Sequence, residues 1–323
     1  MQTFGTAISR DMDGFVVTGK EGRKRIPTDR ITSIQLGKGT QITSDAILLA
    51  VEKEIEVLFV DRSGSPEGRV WSPKYGSIST IRKGQLAFTA SKDATAWIRA
   101  VIAKKILNQQ AMLLTMQGEH NRVGNHEVDK AVSRLEEYLN KIRNMDDAFI
   151  ADVGGTLRGW EGNASRIYFS TWNTFLPEEY RFGGRSQHPA LDPVNALLNY
   201  GYGVLYGKIE GCLIKAGVDP YIGVLHRDVY NRPVLVYDVI EIYRAWVDYV
   251  VYSLAMQGVI TEDFCSWGED GACWLENLGR RILIQSLNDY FDEQIEDKGL
   301  VRSRLTHLSL YAQHLAQTFK QYQ

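Results

Sequence analysis

The feature that most restricts the fold of this chain is a change of pattern near Gly84. Before it, short β-favouring runs are separated by turn residues. After it, apolar residues recur at helical spacing almost without interruption. A helical stretch of that length without interleaved strands does not supply a parallel sheet. The expectation is therefore an α+β chain: a small N-terminal β-rich domain, residues 1–85, followed by a larger all-α domain, residues 86–323.

In the first part, Phe15–Thr18, Ile31–Leu36 and Ile55–Val60 read as strands, with Asp13-Gly14 as a hairpin turn. Ser44-Asp45 caps a short helix over Ala46–Val51, Asp61–Gly64 turns the chain, and Ser72–Lys83 is the linker. A unit this small is hard to stabilise alone, so it is expected to dimerise, with strands such as Ile55–Val60 supplying apolar surface. In the second part, helices are expected over Ala87–Met116, Val128–Asn144, Asp192–Gly217, Val234–Val251, Leu275–Gln294 and Ser303–Gln323.

Three stretches carry acids or an imidazole among small and apolar residues: Glu161–Arg166, Gly223–His226 and Leu235–Glu241. An acid in such surroundings is costly unless a cation or partner neutralises it. A few oxygens and one imidazole suit Mg²⁺ or Mn²⁺. Glu161 precedes the periodic run Ala164, Tyr168, Trp172, and its plain alternative is a charge near a helix N-terminus. Asp238 and Glu241 project from one side if Val234–Val251 is a single helix. Their plain alternative is a solvated acid pair, with Arg244 as the i+3 partner of Glu241. His226 alone reads as a hydrogen-bonded core residue. The turn at Asn231-Arg232-Pro233 allows it to fold back beside Asp238 and Glu241.

The ordered series Glu161–Tyr168, Asp192–Leu198, Gly223–His226 and Leu235–Glu241 resembles the CRISPR-associated integrase family, the metal-dependent endonuclease of spacer acquisition. Each stretch is weakly specific; four in order are strong, and they span most of the helical part. The resemblance implies that Glu161, His226 and Glu241 bind the divalent ion, with Asp238 as a neighbouring acid of the catalytic set that could share or replace a ligand. His226 as ligand and His226 as proton carrier both stay open. The resemblance further implies transesterification joining the 3′-hydroxyl ends of a short foreign DNA duplex to a repeat array. It implies homodimers working with a small second CRISPR-associated adaptation protein in a prokaryotic cytoplasm. One departure is visible: the family often has Pro and Phe between the last acid and Arg, whereas here Glu241-Ile-Tyr-Arg244 lacks Pro, so a straighter helix is expected.

Net charge −2 argues against a DNA-binding chain. Local clusters argue the other way: Arg23-Lys24-Arg25, Arg181 with Arg185, Arg280-Arg281, and Arg302 with Arg304. Arg181 and Arg185, in the Gly-containing segment Tyr180–Pro189, and Arg244 are the candidate DNA contacts. Cys212, Cys265 and Cys273 fit neither a zinc site nor a disulfide framework. No run is long enough to span a bilayer, and the first residues lack a signal-peptide pattern, so a cytoplasmic location is the expectation. Two other readings share these residues: a structure-selective DNA repair nuclease, and a non-catalytic helical dimeric scaffold.

Overall fold

The computed structural model describes residues 5–20, 22–31, 33–61, 66–70, 79–119, 125–146, 148–187, 189–226 and 232–322. The N-terminal part comprises β1 (Ala7–Asp11), β2 (Gly14–Gly19), β3 (Gly22–Pro27), β4 (Ser33–Leu36), β5 (Gln41–Ile42), α1 (Ser44–Glu52), β6 (Glu56–Val60) and β7 (Pro66–Arg69). One sheet has the order β3-β2-β1-β5 and the other β4-β6-β7. The parallel pairs are β1 with β5 and β4 with β6; the rest are antiparallel. The first hairpin forms, but its turn is Met12-Asp13, with Met12 in the left-handed region at φ 52°. Gly14 opens β2 instead, where an added Cβ would lie 3.1 Å from the Ile26 carbonyl oxygen. The cap of α1 is Thr43, one residue earlier than expected, its hydroxyl accepting from the Ala46 amide. Of the β6 side chains, Val57, Leu58 and Val60 are buried within the chain, and only Phe59 is well exposed. That strand therefore spends most of its apolar surface on its own core rather than leaving it for a second copy.

The helical part comprises α2 (Ser79–Thr89), α3 (Lys92–Glu119), α4 (His126–Arg143), α5 (Ile150–Trp172), α6 (Pro193–Lys215), α7 (Val234–Ile240), α8 (Arg244–Met256), β8 (Cys265–Trp267), β9 (Cys273–Leu275), α9 (Asn277–Asp292), β10 (Gln294–Asp297), β11 (Leu300–Ser303) and α10 (Arg304–Lys320). The chain is α+β as expected, with two small hairpins, β8–β9 and β10–β11, set among the helices. Helix begins before Gly84, so residues 79–83 of the expected linker belong to α2. Residues 72–78 lie outside the described residues, as do 62–64 of the expected turn and Asn231. The helix expected over 87–116 is interrupted at Ser91, whose hydroxyl accepts the Ala94 amide and starts α3.

Helix α6 begins at Asp192-Pro193 as the cap rules require, with the Asp192 carboxylate accepting from Asn195 N at 2.7 Å. It is buried on almost every side and packs against α7, α8, α9 and α10. The N-terminal part is fastened to it by a buried ion triad: Arg69 reaches Glu56 on β6 at 2.8 Å and Glu210 on α6 at 2.6 Å. Removing any one member strands a buried charge, at a cost of roughly 3–5 kcal/mol. No described helix is long and apolar enough to cross a membrane.

Candidate active site

Glu161 lies in the middle of α5, well past its first turn. A favourable charge at a helix N-terminus therefore does not account for it. The Ser165 hydroxyl, one turn on, donates to Glu161 Oε1 at 3.0 Å, and Gln109 donates to Ser165 at 3.3 Å. Gln109 belongs to α3, which sequence reasoning left out of the site. Three α3 side chains, Lys105, Asn108 and Gln109, line the same cleft as Glu161. The signal was present: Lys105 and Gln109 fall in step with Ile98, Val101, Ile102, Ile106, Met112 and Leu113, on the buried stripe where lysine is rare unless paired.

The pairing is with the site acids. The Lys105 ammonium forms ion pairs with both Glu161 and Glu241 and is almost wholly buried. Glu241 is also gripped by Arg244, whose Nε donates to Oε1 at 2.9 Å. Burial alone would raise the Glu241 carboxyl, but Arg244 and Lys105 outweigh it and hold it down at about 2. Glu241 Oε2 is buried against the Lys105 ammonium, which is its partner.

The straighter helix expected through Glu241 does not form. α7 ends at Ile240 and α8 starts at Arg244, joined by a tight turn in which Ile242 N bonds to Val239 O and Tyr243 N to Ile240 O. The Ile242 carbonyl, freed from the helical ladder, accepts from Asn108 Nδ2 at 2.8 Å. Proline is thus unnecessary for the break, because a side-chain amide from α3 satisfies the group the break releases.

Asp238 does not line the cleft. It is fully buried, and its oxygens accept from the amides of Val224 at 2.6 Å, Leu225 at 3.2 Å and His226 at 3.2 Å. His226 Nδ1 lies 2.7 Å from Asp238 Oδ1. That fills the carboxylate from behind and differs from the sequence expectation of two acids on one helix face serving one site. Contact with a carboxylate assigns the proton to Nδ1 and leaves Nε2 with its lone pair. Gly223 permits the turn: a Cβ there would sit 2.6 Å from the His226 carbonyl oxygen. Arg158 donates to the Leu225 carbonyl at 3.1 Å and holds the same loop.

The back wall comes from α6 and α8. The Arg244 guanidinium stacks over the Tyr202 ring, 4.6 Å from its centre. Asp248 accepts from the hydroxyls of Tyr168 and Tyr202. Burial pushes its carboxyl up to about 6, although those hydroxyls and the arginines pull the other way. Arg185, expected on a free loop, is instead built in. It donates to Asn195 and to Asn199, the latter at 2.8 Å, and packs over Phe169 and Tyr202. The surrounding segment is pinned too: Asn173 exchanges two hydrogen bonds with Phe182, and the Tyr180 hydroxyl donates to the Ile260 carbonyl. Arg181 is exposed. Among the other basic clusters, Arg25 pairs with Asp11 and Asp13, and Arg304 pairs with Glu293 and stacks on Tyr290.

Glu161, His226 and Glu241 therefore line one cleft of about 320 Å³, with Lys105, Arg185 and Arg244 around it. Among the described residues, no three His, Cys, Asp or Glu side chains are drawn together tightly enough to hold an ion. The donor set nonetheless fits a hard divalent ion. Two carboxylates already share one cation, and the His226 imidazole lines the same space.

Comparison with known proteins gives a consistent result. The family model for "CRISPR associated protein Cas1" matches residues 1–289. A CRISPR-associated endonuclease Cas1 of Archaeoglobus fulgidus is 34% identical over 301 residues, covering 89% of this chain and 86% of that protein. Another, of Rhodospirillum rubrum, is 30% identical over 293 residues, covering 88% and 83%. A chain of a Cas6-RT-Cas1–Cas2 complex superposes with TM-score 0.80 at 25% identity, covering 99% of this chain and 34% of that one, so this chain spans about a third of its length. A casposase bound to integration product superposes with TM-score 0.85 at 19% identity, covering 99% and 89%, a likeness of fold.

Proposed function

This chain belongs to the CRISPR-associated Cas1 family, and from that premise we propose that it is a divalent-metal-dependent DNA endonuclease and integrase. The observation that carries the reading is the convergence of Glu161, His226 and Glu241, from three separate segments, on one cleft that already gathers a cation. These three residues would hold Mg²⁺ or Mn²⁺. The ion, when bound, supplies Lewis-acid stabilisation for phosphodiester cleavage and transesterification. Glu241 is ionised throughout the physiological range, so it needs no proton loss to act as a donor. Asp238 is a positioning residue: it fixes the ring and tautomer of His226 and thereby aims Nε2 at the cleft. Arg244 keeps Glu241 oriented and adds positive charge where a phosphate would sit.

The proposed substrates are a short foreign duplex and a CRISPR repeat array, and the proposed partner is a small second adaptation protein. The relatives described as a Cas1–Cas2 complex and as a casposase on its integration product support this. Residues 86–323 form the catalytic body in this reading, and residues 1–85 the dimerisation unit of a homodimer. The test is transfer of a labelled duplex into a repeat-containing plasmid with and without Mn²⁺, the partner protein present. Glu161→Gln, His226→Ala and Glu241→Gln are each expected to lower joining and cleavage by about 100-fold or more, with unchanged circular dichroism. Wild-type turnover in all three at saturating Mn²⁺ overturns the assignment.

A further inference from the structure

The lysine between the two glutamates has no place in a list of metal ligands, yet it occupies the centre of the acidic pair. Lys105 is the ion-pair partner that Glu161 and Glu241 share, and it approaches from the opposite wall, on α3. Its side chain is 8% exposed, less than that of Glu241 at 11% or Glu161 at 25%. An ammonium is a compact cation carrying three donors and no acceptor. Placed there, it relieves the repulsion between two carboxylates in a partly dehydrated cleft, which is also what a divalent ion does.

The charges do not allow both at once without an anion. Glu161 and Glu241 carry two negative charges, and Lys105 and Arg244 carry two positive ones in direct contact with them. Bringing in a divalent ion while the ammonium stays would leave the cluster at about +2 at low dielectric, a state strongly disfavoured unless a counter-charge enters. Arg244 is fixed by its stacking on Tyr202 as well as by Glu241. The lysine stem is the freer of the two, with four rotatable carbons and, among the described residues, no aromatic face stacked on its ammonium.

We propose that Lys105 is an internal counter-ion that holds the two metal-binding glutamates together in the metal-free protein, competes with the divalent ion for them, and on displacement turns its ammonium to a phosphate of the bound DNA. The inference rests on the reading of Glu161 and Glu241 as ion ligands. It makes ion binding and DNA binding mutually reinforcing: each favours the state in which Lys105 has left the glutamates.

The experiment is calorimetric titration of Mn²⁺ into the full chain without DNA, together with thermal unfolding of the same samples. Lys105→Gln, and Lys105→Met as a second variant, are expected to lose thermal stability without metal because two buried carboxylates lose their shared cation. The same variants are expected to bind Mn²⁺ about tenfold more tightly because the competitor is gone. A structural role alone moves the first quantity and does not strengthen the second. A short duplex should tighten Mn²⁺ binding in the wild type and do so much less in Lys105→Gln. Glu241→Gln serves as the control. If it abolishes Mn²⁺ binding while the lysine variants bind equally or more weakly than wild type, the counter-ion inference is wrong and the ligand assignment stands. If the wild type takes up no Mn²⁺, or Glu241→Gln takes it up unchanged, both fall together.

Discussion

Replacing Asp238 by Asn separates two roles for this acid by one measurement. The carboxylate receives four donors: the amides of Val224, Leu225 and His226 and the imidazole Nδ1. Asn offers one oxygen in place of two and turns an NH₂ toward the rest. With the oxygen placed to keep Val224 and Leu225, the His226 amide and ring face another donor. Leaving buried donors unsatisfied costs roughly 1–3 kcal/mol each. With partial relaxation of the loop, the expected loss is about 3 kcal/mol. At 323 residues the unfolding entropy makes that a fall in Tm of about 4 °C. The imidazole also loses the acceptor that fixes its tautomer, so Mn²⁺ affinity or cleavage should fall about 10- to 100-fold. The assays are thermal unfolding without metal and Mn²⁺-dependent cleavage of a labelled duplex. An acid serving only as an ion ligand behaves differently: its replacement lowers Mn²⁺ affinity and leaves the metal-free stability unchanged. A metal-free Asp238→Asn protein as stable as wild type, or more so, refutes the positioning role.

Three further outcomes follow from the same geometry. Arg181→Ala should leave stability unchanged and reduce the salt dependence of duplex binding by about one phosphate contact, whereas Arg185→Ala should cost roughly 1–3 kcal/mol in unfolding experiments because the Asn195 and Asn199 amide oxygens lose their donor; equal stability of the two variants contradicts this. Asp248 has its carboxyl raised in the fold, so the folded state holds a proton the unfolded chain has lost between about pH 4 and 6. Stability from this group is therefore present at low pH and declines as pH rises through that window, and Asp248→Asn should remove that part of the slope in urea titrations across pH 4–7; an unchanged slope counts against it. Light scattering of the intact chain should report a homodimer, and a monomer at micromolar concentration would sink the assignment of residues 1–85 to dimerisation.

What could be read from residues alone divides by the range of the interaction. The α6 start at Asp192-Pro193, the apolar stripe of α4 and the extent of α10 are local, and they formed close to the reading. The convergence of Glu161, His226 and Glu241 depends on contacts across the whole helical body. Spacing offered only the approach of His226 to Asp238 and Glu241 across a short turn; Glu161 joined them through the resemblance of four ordered stretches. The role of Asp238 was hidden because its partners are backbone amides, which leave no trace in residue identity. The placement of Arg185 was hidden for a related reason: an Arg in a Gly-rich segment looks mobile until the tertiary structure supplies Asn195, Asn199 and an aromatic face.

The break at Glu241 shows most directly why site geometry exceeded local reading. Seven apolar-rich residues followed by Glu241-Ile-Tyr-Arg244, with no Pro or Gly, favour continuous helix. A continuous helix would keep Ile242 O in the ladder and carry Glu241 and Arg244 around one cylinder. Asn108, more than a hundred residues earlier in the chain, offers its amide to that carbonyl, and Lys105, one turn before it, offers its ammonium to the Glu241 carboxylate. Both come from one face of α3, so a single docked helix rewards the break twice. The site and the irregularity in the helix are therefore one feature. Substituting Asn108 by Ala should loosen the turn and the grip on Glu241 together, even though the partner of Asn108 there is a backbone carbonyl.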